Sequence, residues 1–241
     1  LSVEAEKRYI LGKSQRIRHT IEYFNYILQD KKFEKRKCKI LDIGTSPFTF
    51  LFNKCLEAEI STIDLTDLYS RRCRSDNIRF KKCNILEEDI PFPDNEFDII
   101  IFTEVFEHLI SPPKPIFQRI NKVLNDGGTL VFSTPNLNSP YNILMLMLGK
   151  RILPRSYELF NEDADGDCVH GCGHWRKFTM EELIDILRRY GFKIIKYRHI
   201  IKPYISIRTS NPLRFIRRLG LKALMSIFPA AQFNLILAQK K

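Results

Sequence analysis

At 241 residues, 44% hydrophobic and 28% charged, the chain can bury the core of one elaborated domain, and no internal repeat or low-complexity tract interrupts it. Nothing in it approaches the roughly 18 consecutive apolar residues of a membrane-spanning helix; the nearest stretch, YNILMLMLG at 141–149, is too short. A formal net charge of +11 favours association with phosphate-rich or otherwise anionic partners.

The chain opens with LSVEAEKRYILGK, which lacks the apolar stretch of a secretory signal. Its cysteines, at 38, 55, 73, 83, 168 and 172, are scattered, which predicts reduced thiols and a cytoplasmic protein. Residues 8–30 place Ile10, Ile17, Ile21, Phe24 and Leu28 at helical spacing. After the basic linker KKFEKRK come strands CKILDIG, EISTIDL (59–65) and IRFKKCNI (78–85), the turn EEDIPFPDNEF, and a continuous apolar run, FDIIIFTEV (97–105). Such a run is expected of a parallel strand covered on both faces. Ile116, Ile120, Val123 and Leu124 mark a helix ending at NDGG, and TLVFSTP (129–135) is a fifth strand. An irregular stretch follows. Thr179 then caps a helix with Glu182 at its third position, and that helix stops at Gly191. FKIIKYRHI and QFNLILAQ (232–239) are the sixth and seventh strands. Alternation of strands and helices from 38 to 135 predicts a mostly parallel α/β sheet.

In such a sheet ligands bind beyond the carboxyl ends of the strands. The first strand ends in Asp42 before GTSPF, where Gly44 lets the backbone approach a ligand; the second ends in Asp64, about 20 residues on, a spacing suited to ribose hydroxyls. Together they favour a nucleoside-type cofactor.

ILDIG, IDL, IPFPDNEFDIIIFTEVFEHL and LNDGGTLVFSTPN, taken together, resemble a class I S-adenosylmethionine-dependent methyltransferase. The branch they most resemble holds the ubiquinone-biosynthesis O-methyltransferases and many glycan and small-molecule methyltransferases. The resemblance implies a three-layer, doubly wound, Rossmann-like fold of seven strands with an antiparallel last strand. It would form one domain: a helical cap at 1–36, a cofactor core at 37–135, a substrate-side insertion at 136–178, and a C-terminal part at 179–241. It also implies S-adenosylmethionine as cofactor, held at its methionine end by Asp42, Gly44, Thr45 and Ser46. Asp64 and Leu65 would meet the ribose, and Asn84 (side-chain oxygen) and Ile85 (backbone N–H) the adenine. Thr103 and Glu104 would line the pocket. The family loop usually carries two or three glycines, whereas GTSPFTF keeps only Gly44, and Asn84 stands where Asp is commoner.

Methyl transfer leaves a general-base question, for which His108 and His174 are the candidates. Glu104, Glu107, His108 and a later His also resemble the divalent-metal constellation of small-RNA 2′-O-methyltransferases, in which a metal acidifies the attacking hydroxyl; metal is not the favoured reading. In DGDCVHGCGHWRKFT, Cys168, His170, Cys172 and His174 alternate. Extended residues two apart are separated by ~6.5–7 Å, so four in a row overreach a tetrahedral site. A lid loop is the favoured reading, with His174 and Trp175 facing the pocket and Arg176 available to an anionic substrate. In 211–229, Leu213, Ile216, Leu219, Ala223 and Ile227 oppose Arg214, Arg217, Arg218 and Lys222, a helix that would pack over the active site or lie on an anionic membrane.

The expected activity is O-methylation of a small-molecule or glycan acceptor, anionic or lipid-linked. The alternatives are a metal-dependent RNA 2′-O-methyltransferase, disfavoured by the lack of a nucleic-acid-binding motif, and a non-catalytic protein on the same fold, suggested by the depleted glycine loop.

Overall fold

The computed structural model describes residues 14–29, 36–153, 160–162, 168–170, 174–201 and 231–241. In chain order these form α1 (Ser14–Leu28), β1 (Cys38–Ile43), α2 (Pro47–Cys55), β2 (Ala58–Asp64), α3 (Ser70–Ser75) and β3 (Arg79–Lys82). Then follow β4 (Phe97–Thr103), a 3₁₀ turn (Phe106–His108), α4 (Pro113–Val123), β5 (Leu124–Pro135) and α5 (Pro140–Met147). The rest are β6 (Phe160–Glu162), β7 (Cys168–His170), α6 (Met180–Arg189), β8 (Phe192–Ile201) and β9 (Ala231–Lys240).

Period-two burial decides the layering. In β4, Ile99 and Ile101 point to one face, with Ile40, Ile60 and Val131, against Ile17, Phe24 and Ile27 of α1 and Phe48 and Phe52 of α2. Ile100 and Phe102 point to the other face, with Leu41, Ile63 and Phe132, against Ile116, Phe117 and Ile120 of α4 and Leu183 and Leu187 of α6. Both faces are therefore covered, which is why β4 is an unbroken apolar run.

The seven-stranded sheet has the order β3-β2-β1-β4-β5-β9-β8. β1, β2, β3, β4 and β5 pair in parallel, and β9 alone runs against its neighbours. This is the doubly wound sheet with an antiparallel last strand that the sequence predicted. The order reverses between β1 and β4, so a crevice opens beyond their carboxyl ends.

Some boundaries differ. β5 begins at Leu124 rather than 129, because NDGG forms a register shift within the pairing to β4 instead of a break before it. β3 ends at Lys82, leaving Asn84 and Ile85 in the following loop. Helices α2, α3 and α5 were not predicted. α2 and α5 start alike, with Ser46 and Ser139 as N-caps and proline next in line, a start signal present in the sequence. Thr179 caps α6 as expected, accepting from Glu182 N at 3.1 Å, but the Glu182 carboxylate turns to Arg176 instead of completing the box. β6 and β7 form a separate antiparallel pair, so the stretch expected as a lid loop is extended at Cys168–His170; the side chains of Cys168, His170 and Cys172 lie outside the described residues. So does the 211–229 segment. No helix among the described residues is long and apolar enough to cross a membrane.

Candidate active site

A cleft of about 690 Å³ lies at the carboxyl ends of β1, β2 and β3 and beside the segment leaving β4. Its walls include Gly44, Asp64, Leu65, Asn84, Ile85, Val105, His108, Ile110 and Trp175.

Gly44 adopts φ +91° and donates its N–H to Ile63 O at 2.9 Å. A Cβ at this position would meet Val105 Cγ2 at 2.5 Å, so both the left-handed backbone and the close approach require glycine. Beyond it, hydroxyls hold the loop that glycines usually shape. The Thr62 hydroxyl donates to Asp42 O at 2.9 Å, so Thr45 Oγ1, 2.8 Å away, is the donor to Thr62. Ser46 Oγ caps α2 through Phe48 N, Thr49 Oγ1 accepts from Ser46 N, and the Thr49 hydroxyl donates to the buried Asp42 carboxylate. Of the four residues expected at the methionine end, Gly44 lines the cleft. Asp42, Thr45 and Ser46 stand behind it as the frame of the loop.

Asp64 lines the cleft with Oδ1 fixed by Thr66 N and Thr66 Oγ1, at 2.9 and 3.0 Å. Asn84 Oδ1, expected to accept from a ligand, already accepts from Leu86 N at 3.1 Å and keeps one further lone pair. Sequence reading gave no hint of Arg119. This α4 residue donates to the carbonyls of Ile85, Leu86 and Glu87 at 2.9, 3.0 and 3.2 Å. It thus fixes from outside the loop whose inner side lines the cleft. Cys83 also lines the cleft, but burial pushes its thiol up to about 11, so it stays protonated at neutral pH and is no nucleophile.

The chain leaves β4 sharply. Glu104 takes φ +58°, its N–H donates to Ser133 O and its Oε1 accepts from Ser133 Oγ, both at 2.9 Å. Thr103 and Glu104, expected to line the pocket, are not among the residues that wall the cleft; Thr103 pairs with Ser133 in the sheet and Glu104 Oε1 accepts from the Ser133 hydroxyl. The left-handed turn, a conformation costing ~1–2 kcal/mol in a non-glycine residue, aims the following 3₁₀ turn at the cleft. Phe106 anchors that turn, stacking on Phe178 with centroids 4.9 Å apart. Trp175 then clips the 174–178 strand of chain alongside, its N–H donating to Glu107 O at 3.2 Å and its indole N–H to Leu109 O at 2.9 Å.

These clips bring His108 and His174 together, ring centroids 4.8 Å apart, over the fully buried Glu107. Glu107 Oε1 is 4.0 Å from His108 Nε2 and 3.8 Å from His174 Nε2. One carboxylate oxygen and two imidazole nitrogens thus lie within 4.8 Å of one another, a donor set suited to a borderline divalent ion. Glu104, predicted as a fourth member, does not belong to this group. Arg176, predicted to meet an anionic substrate, pairs with Glu182 and lies over the Phe178 ring, 5.0 Å from its centroid, outside the cleft lining.

A family model described as "Methyltransferase domain" matches residues 13–197. Malonyl-[acyl-carrier protein] O-methyltransferase of Paenibacillus sp. (strain JDR-2) is 31% identical over 40% of this chain and 38% of its own length. Ubiquinone/menaquinone biosynthesis C-methyltransferase UbiE of Shewanella sp. (strain W3-18-1) is 29% identical over 53% of this chain and 55% of its own. The chain thus spans about two fifths to a little over half of these curated relatives. A crystal structure of a SAM-dependent methyltransferase from Archaeoglobus fulgidus superposes with TM-score 0.58 at 17% identity, covering 96% of this chain and 99% of that one; at that identity the likeness is one of fold.

Proposed function

Because this chain belongs to the methyltransferase-domain family, we propose that it transfers a methyl group from S-adenosylmethionine to an oxygen of a small-molecule or glycan acceptor. The cleft suits the cofactor. Gly44 leaves the backbone bare where a Cβ would collide with Val105, Asp64 presents an ordered carboxylate for ribose hydroxyls, and the Asn84–Ile85 loop is braced by Arg119. S-adenosylmethionine, when bound, supplies a methyl already activated on a positively charged sulfur. The protein is left to orient the acceptor, exclude water and take a proton.

The observation that carries the O-methylation reading is the His108–His174 pair over Glu107. His108 lines the cleft with Nε2 towards Glu107. In this reading the His108 imidazole takes the acceptor hydroxyl proton. Glu107 then offsets the imidazolium charge. A second reading is favoured by the same three donors: Glu107, His108 and His174 would hold a divalent ion that lowers the pKa of the hydroxyl.

Transfer of labelled methyl from S-adenosylmethionine to hydroxyl-bearing acceptors, with and without chelator, tests both. Turnover that survives the chelator and falls in His108→Ala supports the general base; loss with chelator and return with added metal supports the ion. Labelling at carbon or nitrogen would refute O-transfer.

A further inference from the structure

Ten large apolar side chains are exposed among the described residues, and eight of them sit on segments that leave the carboxyl edge of the sheet. Leu65 and Leu68 follow β2, Ile110 follows β4, and Tyr141, Ile143, Leu146, Met147 and Leu148 belong to α5 or directly follow it. This is the edge on which the cleft opens. A helix of a soluble domain ordinarily buries its apolar stripe and exposes its polar one; α5 does the reverse. Its buried residue is Asn142, whose amide donates to Asn136 O and Leu137 O at 2.8 and 3.1 Å and accepts from Lys177 Nζ at 3.1 Å. Polar bonds pin the helix to the domain while Met147 stands 79% exposed. Exposed cations flank the apolar face: Lys150 and Arg151 follow α5, and Lys114 lies in the first turn of α4 at the same edge.

We propose that this edge docks on an anionic lipid bilayer, α5 inserting its apolar face at the headgroup boundary with Lys150 and Arg151 on the phosphates, so that the cleft opens towards acceptors held in the membrane. An apolar face bordered by cations, on a chain of net charge +11, is complementary to such a surface. The proposal is independent of the 211–229 segment. It also goes beyond the methyl-transfer reading, since its test needs neither cofactor nor acceptor.

The full chain is sedimented with vesicles of phosphatidylcholine alone or mixed with phosphatidylglycerol, at low and high salt. The wild type is expected to pellet with the mixed vesicles, and less so at high salt. Leu146→Glu/Met147→Glu reduces its partition about tenfold or more, and Lys150→Glu/Arg151→Glu reduces it as well. Both variants keep the wild-type melting temperature, because these side chains are exposed. Failure of the wild type to pellet overturns the proposal. So does undiminished pelleting of Leu146→Glu/Met147→Glu, which would indicate a charge-only surface for an acidic macromolecule. A large fall in its melting temperature also overturns it, since the face would then be covered by the chain itself.

Discussion

Replacing Gly44 by alanine tests the account of the cofactor loop at one atom. The added Cβ must accept φ +91° and lie 2.5 Å from Val105 Cγ2. The left-handed conformation costs ~1–2 kcal/mol for a non-glycine residue, and forcing a methyl into packed space a further ~1–3 kcal/mol. The sum, about 2–5 kcal/mol, corresponds to a melting temperature lower by roughly 5–15 °C in a domain of this size. Adding Val105→Ala removes the clashing methyl but not the backbone strain; the nearest remaining Val105 atom, Cβ, would be at an ordinary 3.9 Å. In a double-mutant cycle the two substitutions should therefore couple favourably by about 1–3 kcal/mol. Thermal unfolding of the four proteins measures this, and calorimetry with S-adenosylmethionine shows whether affinity follows. If Gly44→Ala melts with the wild type, or if Val105→Ala restores nothing, the close approach is not what fixes this glycine.

Arg119→Ala strips donors from three loop carbonyls and should weaken S-adenosylmethionine about tenfold or more at ~1–3 kcal/mol, with Arg119→Lys recovering part of it; unchanged affinity would make Arg119 a surface ion-pair partner only. His108→Ala should lower kcat by ~10²–10⁴-fold while leaving cofactor affinity intact, which single-turnover kinetics and calorimetry separate. Asp98 carries an acid-stability prediction. Burial pulls its carboxyl up, but Arg36, Lys39 N–H and Asn125 outweigh that and hold it below the ordinary 3.8. A depressed folded pKa contributes stability that is complete above the unfolded value and lost as pH falls through the lower folded one. Wild type should thus lose stability below about pH 4, and Asp98→Asn, less stable at neutral pH, should show a flatter decline; parallel acid transitions would contradict this.

Strands were legible where burial on both faces makes apolar runs, as in β4, and the sheet followed from their alternation with helices. Asp64, Asn84 and Ile85 were legible because a strand end fixes which residues meet the crevice. Asp42, Thr45, Ser46, Thr103 and Glu104 do not wall the cleft. Whether a hydroxyl or carboxylate faces the cleft or the frame depends on partners distant in sequence, such as Thr62 for Thr45 and Ser133 for Glu104. Arg119 lay beyond reach for the same reason, since its acceptors are backbone carbonyls more than thirty positions away. The Ser-Pro starts of α2 and α5 are helix-start signals that the sequence itself carries. His174 was expected to partner the EVFEHL block, and it meets His108 and Glu107; among the described residues Glu104 is not in that group, since it takes a left-handed turn rather than the helical register the spacing assumed.

Every role proposed for the site depends on S-adenosylmethionine occupying the cleft around Gly44, Asp64 and Asn84. Calorimetric titration of the wild type and of Asp64→Ala tests it most directly. The wild type should show one site, and the variant an affinity about ten- to hundredfold weaker from the loss of charged hydrogen bonds to the ribose. Absence of heat with the wild type, or equal affinity in the two proteins, would contradict it.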